Sequence, residues 1–118
     1  MNEMIEALQT IRAPVHTGEY HLHDMVRHAL AEHGLHPAHE VKLGPRMRID
    51  FKCGSVGIEV KKGRPQPGRL LGQIRRYLAC EQLDALIIVS ERCTQVPKQV
   101  NGKPVRIVSL YKLWGISL

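Results

Sequence analysis

Aromatic side chains are scarce in this chain, with one Phe, one Trp and three Tyr among 118 residues. So few rings argue against a single-strand-binding platform on which unpaired bases stack. Cysteine is almost as sparse. Cys53, Cys80 and Cys93 are odd in number, widely spaced and form no Cys-x-x-Cys pair, which speaks against both a disulfide framework and a zinc ribbon. No apolar run approaches the length of a membrane span, and the opening Met1-Asn2-Glu3-Met4-Ile5-Glu6 is acidic where a secretory leader would be basic. A reducing cytoplasm is the expected compartment. Internal repeats and low-complexity segments are also missing.

What is present is an ordinary globular composition, 43% hydrophobic and 24% charged, at a length that supports one core. Seventeen Lys and Arg against eleven Asp and Glu leave a formal charge of +6, which favours a polyanionic partner such as nucleic acid. Residues 17–118 are expected to form a single domain. The N-terminal extension, 1–16, spaces Met4, Ile5, Leu8 and Ile11 for a short helix that ends at Ala13-Pro14.

Thr17-Gly18 reads as the cap of an amphipathic helix whose stripe is Leu22, Met25, Val26, Ala29 and Leu30, stopping at Gly34. Glu19 falls on that stripe. It either complements the helix dipole from the first turn or reaches a polar site beneath the helix. All seven histidines lie in the first third of the chain. His21 and His28 sit on the polar face without the acidic partner of a zinc-protease helix, so a solvated face is the simpler reading, whereas His23, one turn after Glu19, could border the same pocket. Residues 39–43 alternate and predict a first strand, with Glu40 exposed and Gly44-Pro45 as the following turn.

The most informative stretch runs from Arg46 to Gly63. Two alternating runs flank Gly54-Ser55, a two-residue hairpin turn. In that register Cys53 pairs with Val56, Lys52 with Gly57, Phe51 with Ile58, Asp50 with Glu59 and Arg48 with Lys61. Ile49, Phe51, Cys53, Val56, Ile58 and Val60 then share a core face, and Arg48, Asp50, Lys52, Glu59 and Lys61 share the other. Directly opposed carboxylates with Cβ atoms roughly 5 Å apart repel, so something positive belongs between them. A divalent cation on oxygen ligands answers that need, and Lys61 points at the same spot.

Lys62 to Gly68 is a basic Pro/Gly-rich loop, a candidate phosphate contact. Leu70, Leu71, Ile74, Tyr77 and Leu78 predict a second amphipathic helix over 69–82, with Gln73 one turn before Tyr77. Residues 85–90 form an apolar run of the kind found in central strands, which implies a mixed sheet with a parallel pair. After the Asn101-Gly102 turn, residues 105–110 read as a strand with Pro104 at its start, suited to an edge. Trp114 is expected to pack on the core.

Asp50, then Glu59-x-Lys61, then Gln73-x3-Tyr77, set in the order helix, strand, hairpin, helix, strand, resembles the PD-(D/E)XK nuclease superfamily over about residues 19–90. The Gln-x3-Tyr element is similar to a motif of its exonuclease branch. Ile49 stands where the name-giving proline would be. The resemblance implies an α/β (α+β) restriction-endonuclease-like αβββαβ core, a mixed sheet flanked by helices. It implies that Asp50, Glu59 and Glu19 hold Mg2+, with Mn2+ able to substitute, that Lys61 assists the attacking water, and that Gln73 and Tyr77 support the site. Lys52, Lys62, Arg64, Arg69, Arg75 and Arg76 would grip the phosphate backbone. The expected activity is a DNA endonuclease of junction-resolving or repair type, working as a homodimer because one small domain offers little grip on a duplex. Two rivals make different predictions. A non-catalytic nucleic-acid-binding or adaptor module would bind in a salt-sensitive way without a metal site. A histidine-based metal protein would lose Zn2+ or Ni2+ binding on mutation of His21, His23 and His28.

Overall fold

The computed structural model describes residues 1–11 and 19–110, and side chains from residue 21 in the second stretch. Thr17-Gly18 and Trp114 lie outside the described residues. In chain order the elements are α1 (Asn2–Leu8), α2 (Glu19–Glu32), β1 (Ala38–Gly44), β2 (Met47–Cys53), β3 (Val56–Lys61), α3 (Pro67–Leu78), β4 (Ala85–Ser90), β5 (Gln99–Val100) and β6 (Lys103–Ser109). The strands form one mixed six-stranded sheet in the order β1-β2-β3-β4-β6-β5. Antiparallel pairing joins β1, β2 and β3, while β4 runs parallel to both β3 and β6.

Helices cover both faces because the central strand β4 is apolar at almost every position. Ala85, Ile87 and Val89 alternate into a cluster with α1 and α2, and Leu86 and Ile88 into a cluster with α3. The N-terminal helix is part of this layer: Met4, Ala7 and Leu8 are buried in the same cluster as Leu22, Val26 and Leu30 of α2. Gly57 of β3 makes room for Ile49 and Leu83, both on the α3 side, to pack close against the strand. A Cβ there would stand 2.3 Å from Ile49 Cδ1 and 3.1 Å from Leu83 Cδ1, and both of those side chains are fully buried. Neither can yield without displacing the other, so Gly57→Ala is expected to destabilise by about 1–3 kcal/mol in urea unfolding, as overpacked cores do.

Three elements differ from expectation, the first being α1, which ends at Leu8 and not at Ala13-Pro14. The second helix starts earlier, at Pro67, because Gln66 caps it by accepting the Arg69 backbone N–H at 2.7 Å and Pro67 needs no donor in the first turn. It ends at Leu78, short of residue 82. Likewise β6 is not the sheet's edge: Asn101 and Gly102, at φ 55° and 73°, form a tight turn that folds β5 back against it. Pro104 sits in that pairing, opposite Gln99.

The hairpin turn is at Gly54-Ser55, with Cys53, Lys52 and Phe51 paired to Val56, Gly57 and Ile58 as expected. Beyond that point the expectation fails. Asp50 and Glu59, and Arg48 and Lys61, are not ladder partners, since the β2–β3 ladder ends at Phe51–Ile58. Ile49 also leaves the expected face: Phe51 packs under α2, but Ile49 packs under α3. The irregularity extends one strand over. Glu40 adopts φ 53°, a left-handed conformation unusual for a side chain of its kind, and Glu40 and Asp50 are skipped in the β1–β2 register. Both strands swap faces at this point, and their pairing shifts register again between Lys42 and Gly44. His39 stacks on Phe51 on one side, and Val41 joins Ile49 on the other.

Candidate functional site

The break in the ladder makes the site. Where β2 and β3 part, their backbone N–H groups need acceptors, and the two carboxylates supply them. Val60 N–H donates to Asp50 Oδ2 at 2.7 Å, and Asp50 N–H donates to Glu59 Oε1 at 3.3 Å. Asp50 and Glu59 thus do not merely face each other across a hairpin. Each carboxylate is threaded into the opening between the strands.

The pair also spans the sheet. On the α3 side, Glu59 Oε2 accepts from Gln73 Nε2 at 3.1 Å and is paired with Lys61 Nζ at 3.1 Å. Gln73 Nε2 also lies 3.0 Å from the Tyr77 hydroxyl, which in turn donates to the Arg48 carbonyl at 2.9 Å. Gln73 and Tyr77, one turn apart on α3, therefore tie Glu59 and β2 to the helix. On the α2 side, Asp50 Oδ2 is 3.7 Å from His23 Nε2. Sequence spacing brought Asp50, Glu59, Lys61, Gln73 and Tyr77 into one proposed site, and the structure joins all five.

Burial sets the electrostatics. Glu59 is 5% exposed, and its carboxyl is pushed up to about 7, first by desolvation and then by the Asp50 charge, with Lys61 pulling the other way. Burial, and then the Glu59 charge, raises the Tyr77 phenol well above its ordinary range, so it remains a hydroxyl donor. Two acids this close, one of them held partly protonated, form a site that a cation would stabilise. Among the described residues, no three His, Cys, Asp or Glu side chains converge as a complete metal-ligating group. The Glu19 side chain, the proposed third acid, lies outside the described residues, although α2 begins at that residue.

Lys61 opens onto a cleft of about 530 Å³ between the loop after β3 and α3, lined also by Gln66, Arg69, Gln73 and Arg76. Arg69 and Arg76 are thus next to the acidic centre. Lys62, Arg64 and Arg75 are exposed. The Lys52 ammonium donates to the Gly54 carbonyl at the hairpin tip, 2.6 Å away. Of the histidines on the polar face of α2, His21 is exposed and His28 pairs with Glu32 at 2.9 Å, one turn along the helix. Glu40, also exposed, pairs with Arg48 at 3.5 Å.

Two residues near the site carry no motif. His39 meets His23 at 3.0 Å, a contact that depends on the face swap at Glu40 and has no signal in the sequence. Glu91, only 2% exposed, accepts from Gly63 N–H through Oε1, and its Oε2 has no hydrogen-bond partner among the described residues. With Glu91 N–H on the Lys61 carbonyl and Arg92 N–H on the Gly63 carbonyl, it clamps the exit of β3 to the exit of β4. Its place just past a central parallel strand, beside the strand that carries Lys61, was the available clue.

No family model, curated protein or solved structure matches the chain. No helix among the described residues is long and apolar enough to cross a membrane.

Proposed function

We propose that this chain is a metal-dependent nuclease of the PD-(D/E)XK type, hydrolysing phosphodiester bonds in DNA. The observation that carries the reading is the joined set Asp50, Glu59 and Lys61, held by Gln73 and Tyr77 where two strands separate. The described order α2-β1-β2-β3-α3-β4 supports the restriction-endonuclease-like arrangement. The donor set fits a hard divalent cation, because two carboxylates crowd together and burial keeps one of them from ionising comfortably. Asp50 and Glu59 would hold Mg2+ or Mn2+, with Glu19 as a third acid. Such an ion supplies Lewis-acid stabilisation of the phosphoryl oxygens and a more acidic bound water.

The chain's own groups do the rest. Lys61 is 26% exposed, at the boundary between Glu59 and the cleft, where an ammonium can orient a water and offset charge on a phosphoryl group. Arg69 and Arg76 line the cleft that would take the phosphate backbone, and Lys62, Arg64 and Arg75 extend the basic surface. These contacts read no bases, which suits an endonuclease selecting branched or damaged DNA by shape, acting as a homodimer.

Incubation with duplex, single-stranded and branched DNA and with RNA, in Mg2+ or Mn2+, tests the reading directly. Cleavage should require the ion and disappear in Asp50→Asn, a variant whose side-chain oxygen can still accept from Val60 N–H. Salt-sensitive binding without cleavage of any substrate would point instead to a non-catalytic binding module.

A further inference from the structure

Two histidines that carry no role in this reading, His23 and His39, meet beside Asp50. His23, 8% exposed, places Nδ1 3.0 Å from His39 Nε2 and Nε2 3.7 Å from Asp50 Oδ2. Phe51 holds both rings: its centroid is 5.6 Å from that of His23 and 4.6 Å from that of His39, the latter stacked.

Between two imidazole nitrogens at hydrogen-bond distance there is one proton. Its placement on His23 Nδ1, donated to His39 Nε2, is the tautomer that turns the His23 Nε2 lone pair toward the carboxylate oxygen; the opposite placement puts the hydrogen there. The 3.7 Å gap is too long for an N–H···O bond, so a proton on Nε2 would not close it either. Two ligand atoms each about 2.1 Å from one ion can be at most roughly 4.2 Å apart, and this gap falls within that reach. A ring N–H given to an outer partner is also how metal-ligating histidines are held in tautomer and orientation.

We propose that His23 Nε2 is a ligand, alongside Asp50, of the divalent ion in this site, with His39 as its positioning partner. A nitrogen donor shifts the site's preference from Mg2+, which favours all-oxygen surroundings, toward Mn2+, Fe2+ or Co2+. The inference rests on the metal-dependent reading above and adds the identity of a ligand and of the preferred ion.

Electron paramagnetic resonance of Mn2+ bound to the full chain tests it without reference to activity. The expected result is nitrogen hyperfine coupling to the bound ion in the wild type, absent in His23→Gln. Mn2+ affinity should fall about 10- to 100-fold in that variant, with Mg2+ affinity changed by less than about threefold. His39→Ala should weaken Mn2+ while keeping the coupling. If Mn2+ binds, is lost in Asp50→Asn, and shows no nitrogen coupling in the wild type, His23 is an imidazolium partner of Asp50 and the proposal falls while the nuclease reading stands. Coupling that persists in His23→Gln also overturns it. Absence of any Mn2+ binding overturns both. A wild-type spectrum without nitrogen coupling overturns the proposal whatever the variants do, and if His23→Gln fails to fold, His23→Asn takes its place, with loss of the coupling expected and retained coupling overturning the proposal.

Discussion

Replacing Lys61 with alanine is expected to lower kcat roughly a hundred- to a thousandfold, the usual scale for losing one group that stabilises transition-state charge. The same change should leave Mn2+ affinity unchanged or tighter, since it removes a positive charge 3.1 Å from Glu59 Oε2. The ammonium competes with an incoming cation for that oxygen. Calorimetric titration of Mn2+ beside single-turnover cleavage separates the two effects. Wild-type rates in the alanine variant would remove Lys61 from the chemistry. Loss of rate together with loss of metal would make it a structural prop of Glu59. Arginine should restore little of the rate, because its planar fork cannot replace a compact ammonium on a short reach.

The second large effect is on stability in the absence of metal. The Glu59 carboxyl is raised from 4.5 in a free chain to about 7 when folded, with burial as the first cause and Asp50 as the second. Between those values the folded state holds a proton that the unfolded state has released, so stability falls as pH rises. The contribution is fully present below pH 4.5 and is lost as pH passes 7, on the order of 3 kcal/mol across the window. Urea midpoints measured in chelator from pH 4.5 to 8 should decline accordingly. In Asp50→Asn one of the two causes is gone and burial remains, so the decline should be smaller and should level off at lower pH. In Lys61→Ala it should steepen, since Lys61 is what holds the carboxyl down. A flat profile in the wild type would show that Glu59 titrates like a surface acid.

Most of the sheet could be read directly from alternation and turn chemistry. Gly54-Ser55 set the hairpin, Ala85 to Ser90 announced a strand covered on both sides, and the Gln73-x3-Tyr77 spacing put two polar groups on the face of α3 that meets Glu59. What could not be read was the irregularity on which the site depends. Period-two reasoning assumes that alternation continues, and it therefore put Ile49 with Phe51 and set Asp50 squarely opposite Glu59. A left-handed Glu40 on the neighbouring strand has no composition cue, since glycine or asparagine would ordinarily mark it. The His23–His39 contact follows from that same swap. Glu91 was missed for a different reason: a single acid after a strand looks like a surface residue until the parallel neighbour is in place.

The threading of the two acids into the strand gap changes what their presence in a sequence means. Asp50 and Glu59 each accept a backbone N–H from the other's strand where the β2–β3 ladder stops. A descendant that had abandoned hydrolysis would still need them, or equivalents, to keep β2 and β3 apart without orphaned donors. Among the described residues the Lys61 ammonium carries no backbone group in this way: it is paired with the Glu59 side chain. When chains of this architecture are compared, drift at the lysine, rather than retention of the acid pair, is the mark that separates a working hydrolase from a scaffold that has kept its shape.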